Sequence, residues 1–309
     1  MRDACIQALI GIARRDKRVM LLTGDLGFGV LTSFAETFPD QFLNVGVAEQ
    51  NMTGVATGLA LEGKIVFTYS IGNFPTLRCL EQIRNDVCYH NVNVKIVCIG
   101  GGFCYGPLGI SHHATEDLAI MRVLPNMKVM APGDLAETRR ITQIAYETAG
   151  PCYLRLGRGG EPNIHKKTLK FFMGQGICLF PEGDVGLLST GGILGNAVKV
   201  REILAGQGIS ASLHSVPFLR PLDHELIQHL AQTSRLVVTI EEHSIIGGLG
   251  GAVAEVLAEL PGPKPPLLRI GLRDGFSSEV GDQEYLRQIY GLSPDAIVRR
   301  VKEAFSPGK

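Results

Sequence analysis

Short apolar runs alternate with amphipathic stretches along most of this chain. Ala4, Ala8, Leu9 and Ile12 recur at the spacing of one helix face, and a continuous apolar run follows at 19–22. The alternation continues with a helix at 31–38, a strand at 42–45, a small-residue helix at 53–61 and a strand at 65–69. Residues 74–89 read as one long helix, with Leu77, Leu80, Ile83, Val87 and Cys88 on its apolar side and Arg78, Glu81, Arg84 and Asp86 facing elsewhere. Pro75 suits its first turn. A strand at 94–99, a glycine-rich loop at 100–109 and elements at 128–131, 135–148 and 152–156 follow. This order predicts an α/β protein built from three-layer domains, each a mostly parallel sheet with helices on both faces.

At 157–170 the composition shifts to Gly, Pro, Asn, His and Lys, as in a surface linker. The expected division is a first domain at 1–165, a linker at 166–179 and a second domain at 180–309. In the second half the pattern resumes in a smaller format. Strands are expected at 185–189, 210–216, 236–240 and 267–270, helices at 194–206, 223–233 and 249–260, and amphipathic stretches at 282–290 and 294–305. A length of 309 residues with 45% apolar composition is enough for two ordinary cores.

Charge and composition act mainly by exclusion. The formal net charge is zero and no basic patch stands out, which argues against nucleic acid or an anionic membrane as the main partner. The amino terminus lacks the charged and apolar regions of a leader, and no apolar run approaches the ~18 residues of a membrane span. A soluble, cytoplasmic protein is the expectation. Seven cysteines without a CxxC pair suit reduced, mostly buried thiols.

Chemistry concentrates at a few corners. Glu49, in Gly46-Val47-Ala48-Glu49-Gln50-Asn51-Met52, falls in the first turn of a helix after a strand, where α/β proteins keep ligand sites. A lone first-turn glutamate otherwise complements the helix dipole. Gly24-Asp25-Leu26-Gly27 is a glycine-rich corner that lets backbone N–H groups approach a ligand, though it lacks the Lys-Ser/Thr of a phosphate loop. The glycines at 247–251 have the wrong spacing for a dinucleotide fingerprint, so close helix packing explains them better. His112, His113, Glu116 and Asp117 are metal-capable, but adjacent histidines in an extended loop point to opposite sides. One histidine projecting into a cleft is the simpler use, and no metal ligand is assigned to this chain. The chain has no GxSxG, HExxH or P-loop, so hydrolase, zincin and NTPase readings have no anchor.

The strings GVAEQNM at 46–52, GDL at 24–26, RND at 84–86, SHHATED at 111–117 and LPNM at 124–127 resemble the transketolase family. The resemblance covers essentially the whole chain and falls on that family's pyrimidine-binding and C-terminal domains. The segment EEHSIIGGLGGAVAE at 241–255 is also similar to deoxyxylulose-phosphate synthases and to β subunits of 2-oxoacid dehydrogenases. The resemblance implies a thiamine-diphosphate enzyme in which Glu49 is the carboxylate that bonds N1′ of the cofactor pyrimidine. Phe74 would stack on that ring, with Arg78, Asp25 and Val47 also on the cofactor side. His112 would contact sugar hydroxyls, and Arg158 and Arg2 the sugar phosphate, a role that suits the guanidinium fork. Leu108 departs from the family, which has an aspartate four residues before its histidine, and this points away from the ordinary pentose-phosphate pair.

The family binds the diphosphate through Mg²⁺ held by a GDG motif and a downstream asparagine, and no GDG occurs here. The resemblance therefore implies a separate subunit carrying the diphosphate and Mg²⁺ domain, with the cofactor across the interface of an α2β2 heterotetramer. The implied activity is transfer of a two-carbon ketol unit from a ketose phosphate to an aldose phosphate. The rivals are a β subunit of a 2-oxoacid dehydrogenase or other acyloin-forming enzyme, and a non-catalytic regulatory subunit of the same fold.

Overall fold

Parallel pairing builds two sheets in this computed structural model, which describes residues 1–166 and 168–305. In chain order the strands are β1 (Val19–Thr23), β2 (Phe42–Asn44), β3 (Ile65–Ile71), β4 (Val94–Ile99), β5 (Lys128–Met130) and β6 (Cys152–Leu156), then β7 (Ile177–Phe180), β8 (Val185–Ser189), β9 (Ala211–Ser215), β10 (Phe218–Arg220), β11 (Leu236–Ser244) and β12 (Leu267–Leu272). The seven-stranded sheet runs β10-β5-β6-β4-β3-β1-β2, and the five-stranded sheet runs β12-β11-β8-β9-β7. Among these strands only β10 and β7 pair antiparallel to their neighbours. The α/β architecture and the mostly parallel sheets agree with the sequence pattern.

Strands β1, β4, β6 and β8 are buried at every position, as expected where helices cover both faces. Side chains alternate across the first sheet. Leu21, Phe67 and Val97 join Cys5, Leu9 and Ile12 of the helix Arg2–Ala13. Met20, Leu22, Val66 and Ile96 pack instead with Met52 and Ala56 of the helix Glu49–Leu61. The period of two thus divides one sheet between two cores. Five cysteines are buried, and all seven are free thiols.

One expectation needs correction, and one strand joins the halves in a way the pattern did not show. Residues 74–89 are not one helix. A turn at 72–76 leads into a 3-10 turn at Leu77–Cys79, a single α turn at Leu80–Gln82 and a π-helical stretch at Ile83–Cys88. Apolar spacing cannot distinguish these windings, and local bonds such as Thr76 Oγ donating to Gly72 O fix the turn. Strand β10, from the second half of the chain, crosses to the edge of the first sheet and pairs with β5. It is too short to show a period, and its partner is tertiary.

The glycines at 247–251 do serve close packing. Glu241 accepts from the backbone N–H groups of Leu249 and Gly250, both at 2.7 Å, at the start of the helix Leu249–Glu259. A Cβ on Gly248 would collide with the Glu241 carboxylate, so only glycine admits that cap.

Candidate functional site

The ends of β1 and β2 lie side by side, with Thr23 opposite Asn44. Asn44 Oδ1 accepts from Asp25 N at 2.9 Å and Gly46 N at 3.0 Å, and its Nδ2 donates to Asp25 Oδ1 at 3.0 Å. Asp25 has φ 58°, a left-handed conformation that Asp tolerates in turns. A Cβ on Gly24 would meet Gly46 O at 3.2 Å and Glu49 Cγ at 3.7 Å. The two corners therefore approach as one unit, tied by Asn44.

Glu49 opens the helix Glu49–Leu61 and is only 3% exposed. Its Oε2 accepts from Arg78 Nη1 at 2.7 Å. Arg78 is half-exposed, and its guanidinium carbon lies 4.7 Å from the centre of the Phe74 ring, within cation–π range. The turn at 72–76, rather than a helix, carries Phe74 to that position. Its ring meets the His112 ring edge to face at 5.1 Å. Burial, then the neighbouring His113, hold the His112 pKa below its ordinary value. Nδ1 of His112 lies 2.9 Å from Ser111 Oγ.

His113 turns away into the core, with Nε2 3.1 Å from Gly106 O and its ring edge-on to Phe103. The two histidines thus divide as the loop reading expects. Tyr105 extends the site on the other side of His112, at 6.1 Å, and the Arg158 guanidinium lies 5.3 Å from the Tyr105 ring. Burial raises the Tyr105 hydroxyl pKa, and the charges of Arg2 and Arg158 both oppose that rise. Arg2 also lies 3.5 Å from Asp3.

Glu49, Arg78, Phe74 and His112 therefore form one contiguous run, which Tyr105 extends toward Arg158 and Arg2. Asp25 joins it through Asn44. Val47 stands apart on the rim, 75% exposed beside solvent, as does Leu108 at 55%. Sequence reasoning missed Asn44, Tyr105 and Asn73, whose Nδ2 donates to His113 O at 2.9 Å. Each is a polar or aromatic residue at a loop or strand end, where no periodicity marks it. Tyr105, inside a glycine-rich loop, carried the one usable signal.

Among the described residues, the metal-capable cluster is not at 112–117 but at Asp134, Glu137 and His165. Asp134 Oδ2 already accepts from Ile164 N, His165 N and His165 Nδ1. The cluster ties the segment after β6 to the helix Leu135–Glu147.

The profile of the transketolase pyrimidine-binding domain matches residues 1–161, and that of the transketolase C-terminal domain matches residues 174–297. The chain belongs to the transketolase family, whose members use thiamine diphosphate, and corresponds to its pyrimidine-binding and C-terminal parts. Among individual proteins, it is 38% identical to a subunit of the apulose-4-phosphate transketolase of Actinobacillus succinogenes, covering 87% of this chain and 86% of that one. It is also 38% identical to a 6-deoxy-6-sulfo-D-fructose transketolase subunit of Clostridium sp., over 98% of this chain and 94% of the other. A solved structure described as a split gene transketolase, inactive beta4 tetramer, superposes with a TM-score of 0.90 at 40% identity, covering 99% and 98% of the two chains. Two of these relatives are named as transketolase subunits, and the third as a split gene transketolase. Among the described residues, no helix is long and apolar enough to cross a membrane.

Proposed function

We propose that this chain is the pyrimidine-binding subunit of a two-chain, thiamine-diphosphate-dependent transketolase. It moves a two-carbon ketol unit from a ketose phosphate to an aldose phosphate when joined to a subunit that carries the diphosphate and Mg²⁺ site. The observation that carries this reading is the buried Glu49 carboxylate, aligned with Arg78, Phe74 and His112 along one open face. That donor set fits a pyrimidine ring: a carboxylate for a ring nitrogen and an aromatic platform beside it.

Thiamine diphosphate, when bound, supplies a nucleophilic thiazolium carbon. Glu49 holds a proton at the pyrimidine nitrogen, and in this chain alone Arg78 satisfies that carboxylate instead. Phe74 orients the ring by stacking. His112, its pKa depressed by burial, is neutral at pH 7 and exchanges hydrogen bonds or a proton with a substrate hydroxyl. Arg158 and Arg2, on the Tyr105 side of His112, take the sugar phosphate. Leu108 offers no hydrogen bond at its position, which favours a sugar that differs there from the ordinary pentose phosphates.

The face is incomplete by itself. Phe28 and Val47, beside the two corners, are 82% and 75% exposed, which suits coverage by a partner subunit. The description of the solved relative as an inactive tetramer of β chains supports the same requirement, and an α2β2 assembly fits it. The test is reconstitution of both subunits with thiamine diphosphate and Mg²⁺, supplied with ketose plus aldose phosphates or with pyruvate. Ketol transfer is the expected result. Turnover of pyruvate without any ketol transfer would assign the chain to the 2-oxoacid dehydrogenase type instead.

A further inference from the structure

Strand β11 ends in three consecutive buried ionisable residues, Glu241, Glu242 and His243. Glu241 is used by the helix it caps. Glu242, 3% exposed, is used differently: its carboxylate reaches out of its own sheet to the loop that carries His112. Oε1 accepts from Phe103 N at 2.6 Å and from Gln283 Nε2 at 2.8 Å, while Oε2 accepts from Arg287 Nε at 2.5 Å. The approach is so close that a Cβ on Gly102 would collide with Oε1.

Phe103 marks one foot of the His112 loop. The other foot is Ala114, because Gly102 and Ala114 exchange backbone hydrogen bonds, Gly102 N to Ala114 O at 2.7 Å and Ala114 N to Gly102 O at 3.1 Å. Arg155 joins that second foot to the same strand end, with Nη2 donating to Ala114 O at 2.7 Å and to Glu242 O at 2.9 Å. Both feet of the loop that bears Tyr105 and His112 are therefore held by residue 242, one through its side chain and one through its backbone.

We infer that Glu242 is a positioning residue: a buried carboxylate from the second half of the chain fixes the His112 loop against Phe74. The second half then contributes to the site through Glu242 although it supplies none of the assigned site residues. A charged acceptor suits the task, since a short charge-assisted bond to a backbone N–H holds more firmly than a neutral one. The inference rests on the reading of His112 as a substrate contact.

The test uses Glu242→Ala, Glu242→Gln and Gly102→Ala, the last driving a methyl group into the carboxylate. In the full chain, the His112 ring resonance reports the ring current of Phe74 and needs no activity. In the reconstituted assembly, kcat, KM and the thiamine diphosphate Kd are measured separately. Glu242→Ala should shift the His112 resonance and lower kcat/KM for the sugars by ~10-fold or more. Cofactor Kd should stay within about twofold, because no hydrogen bond joins Glu242 to Glu49, Arg78 or Phe74. Glu242→Gln keeps an acceptor for Phe103 N and should restore much of the loss, whereas Gly102→Ala should reproduce it. If Glu242→Ala does not fold, the same split between Gly102→Ala and Glu242→Gln decides. A folded Glu242→Ala with unchanged His112 resonance and kcat/KM overturns the inference, and so does an equal loss of cofactor affinity that Gln does not rescue. If the wild-type assembly performs no ketol transfer, the proposed function fails while the His112 resonance still tests Glu242.

Discussion

At the scale of single residues, Glu49 was legible because its type and its place at a strand-to-helix corner both carried information. Phe74, Arg78 and His112 could be named only through family resemblance, and the structure places them side by side with Glu49. Asn44 was not legible, since an asparagine ending an exposed edge strand looks like an ordinary turn former. Yet three hydrogen bonds from Asn44 hold the Asp25 and Gly46 corners together. Because all three bonds are exposed, the one to the Asp25 carboxylate included, Asn44→Ala should cost no more than about 1 kcal/mol of stability in urea unfolding. The same change should weaken cofactor binding by the reconstituted assembly by ~10-fold, since both corners lose their tie. Equal cofactor titrations for mutant and wild type would show that the corners need no such brace.

At the scale of elements, the continuous apolar strands and amphipathic helices followed from period alone. Winding did not, because 3-10, α and π turns at 77–88 share one apolar pattern. Helix starts depend on caps, and Asp134 shows how much one cap can hold. Its Oδ1 accepts from Glu137 N at 2.9 Å at the head of the helix Leu135–Glu147, while Oδ2 gathers Ile164 and His165. Asp134→Ala removes the cap and leaves buried donors without an acceptor, so a loss of about 2–3 kcal/mol is expected in denaturant unfolding. A loss under about 0.5 kcal/mol would mean that water replaces the carboxylate fully.

At the scale of the molecule, two mostly parallel sheets were expected, but the joints between the halves were not. Strand β10 and the end of β11 make those joints through tertiary partners, which a local pattern cannot show. Burying Glu241 at the β11 end has a pH signature. Burial raises the Glu241 pKa from 4.5 to about 7, and it raises Glu137 to about 7 as well. Burial lowers His243 and His214 from 6.5 to about 4. Raised carboxylate values favour the folded state below about pH 4.5, an advantage lost as pH rises toward 7. Depressed histidine values act in the opposite sense, weakening the fold as pH falls from 6.5 toward 4. The two pairs offset each other, so wild-type stability should vary little between pH 4.5 and 6.5. Glu241→Gln removes one carboxylate, and its stability relative to wild type should improve by on the order of 3 kcal/mol from pH 4.5 to 7, measured by denaturant unfolding across that range. A pH-independent difference would contradict the burial argument.

Under the proposed function, Glu49 is half of a site that another chain completes. The most direct measurement is the initial rate of ketol transfer at saturating thiamine diphosphate, for this chain alone, for the two-subunit assembly, and for the assembly carrying Glu49→Gln. The expected result is transfer by the wild-type assembly only, with Glu49→Gln lowering its rate by about 10²-fold or more. Full activity of this chain without a partner, or an unchanged rate for Glu49→Gln, would contradict it.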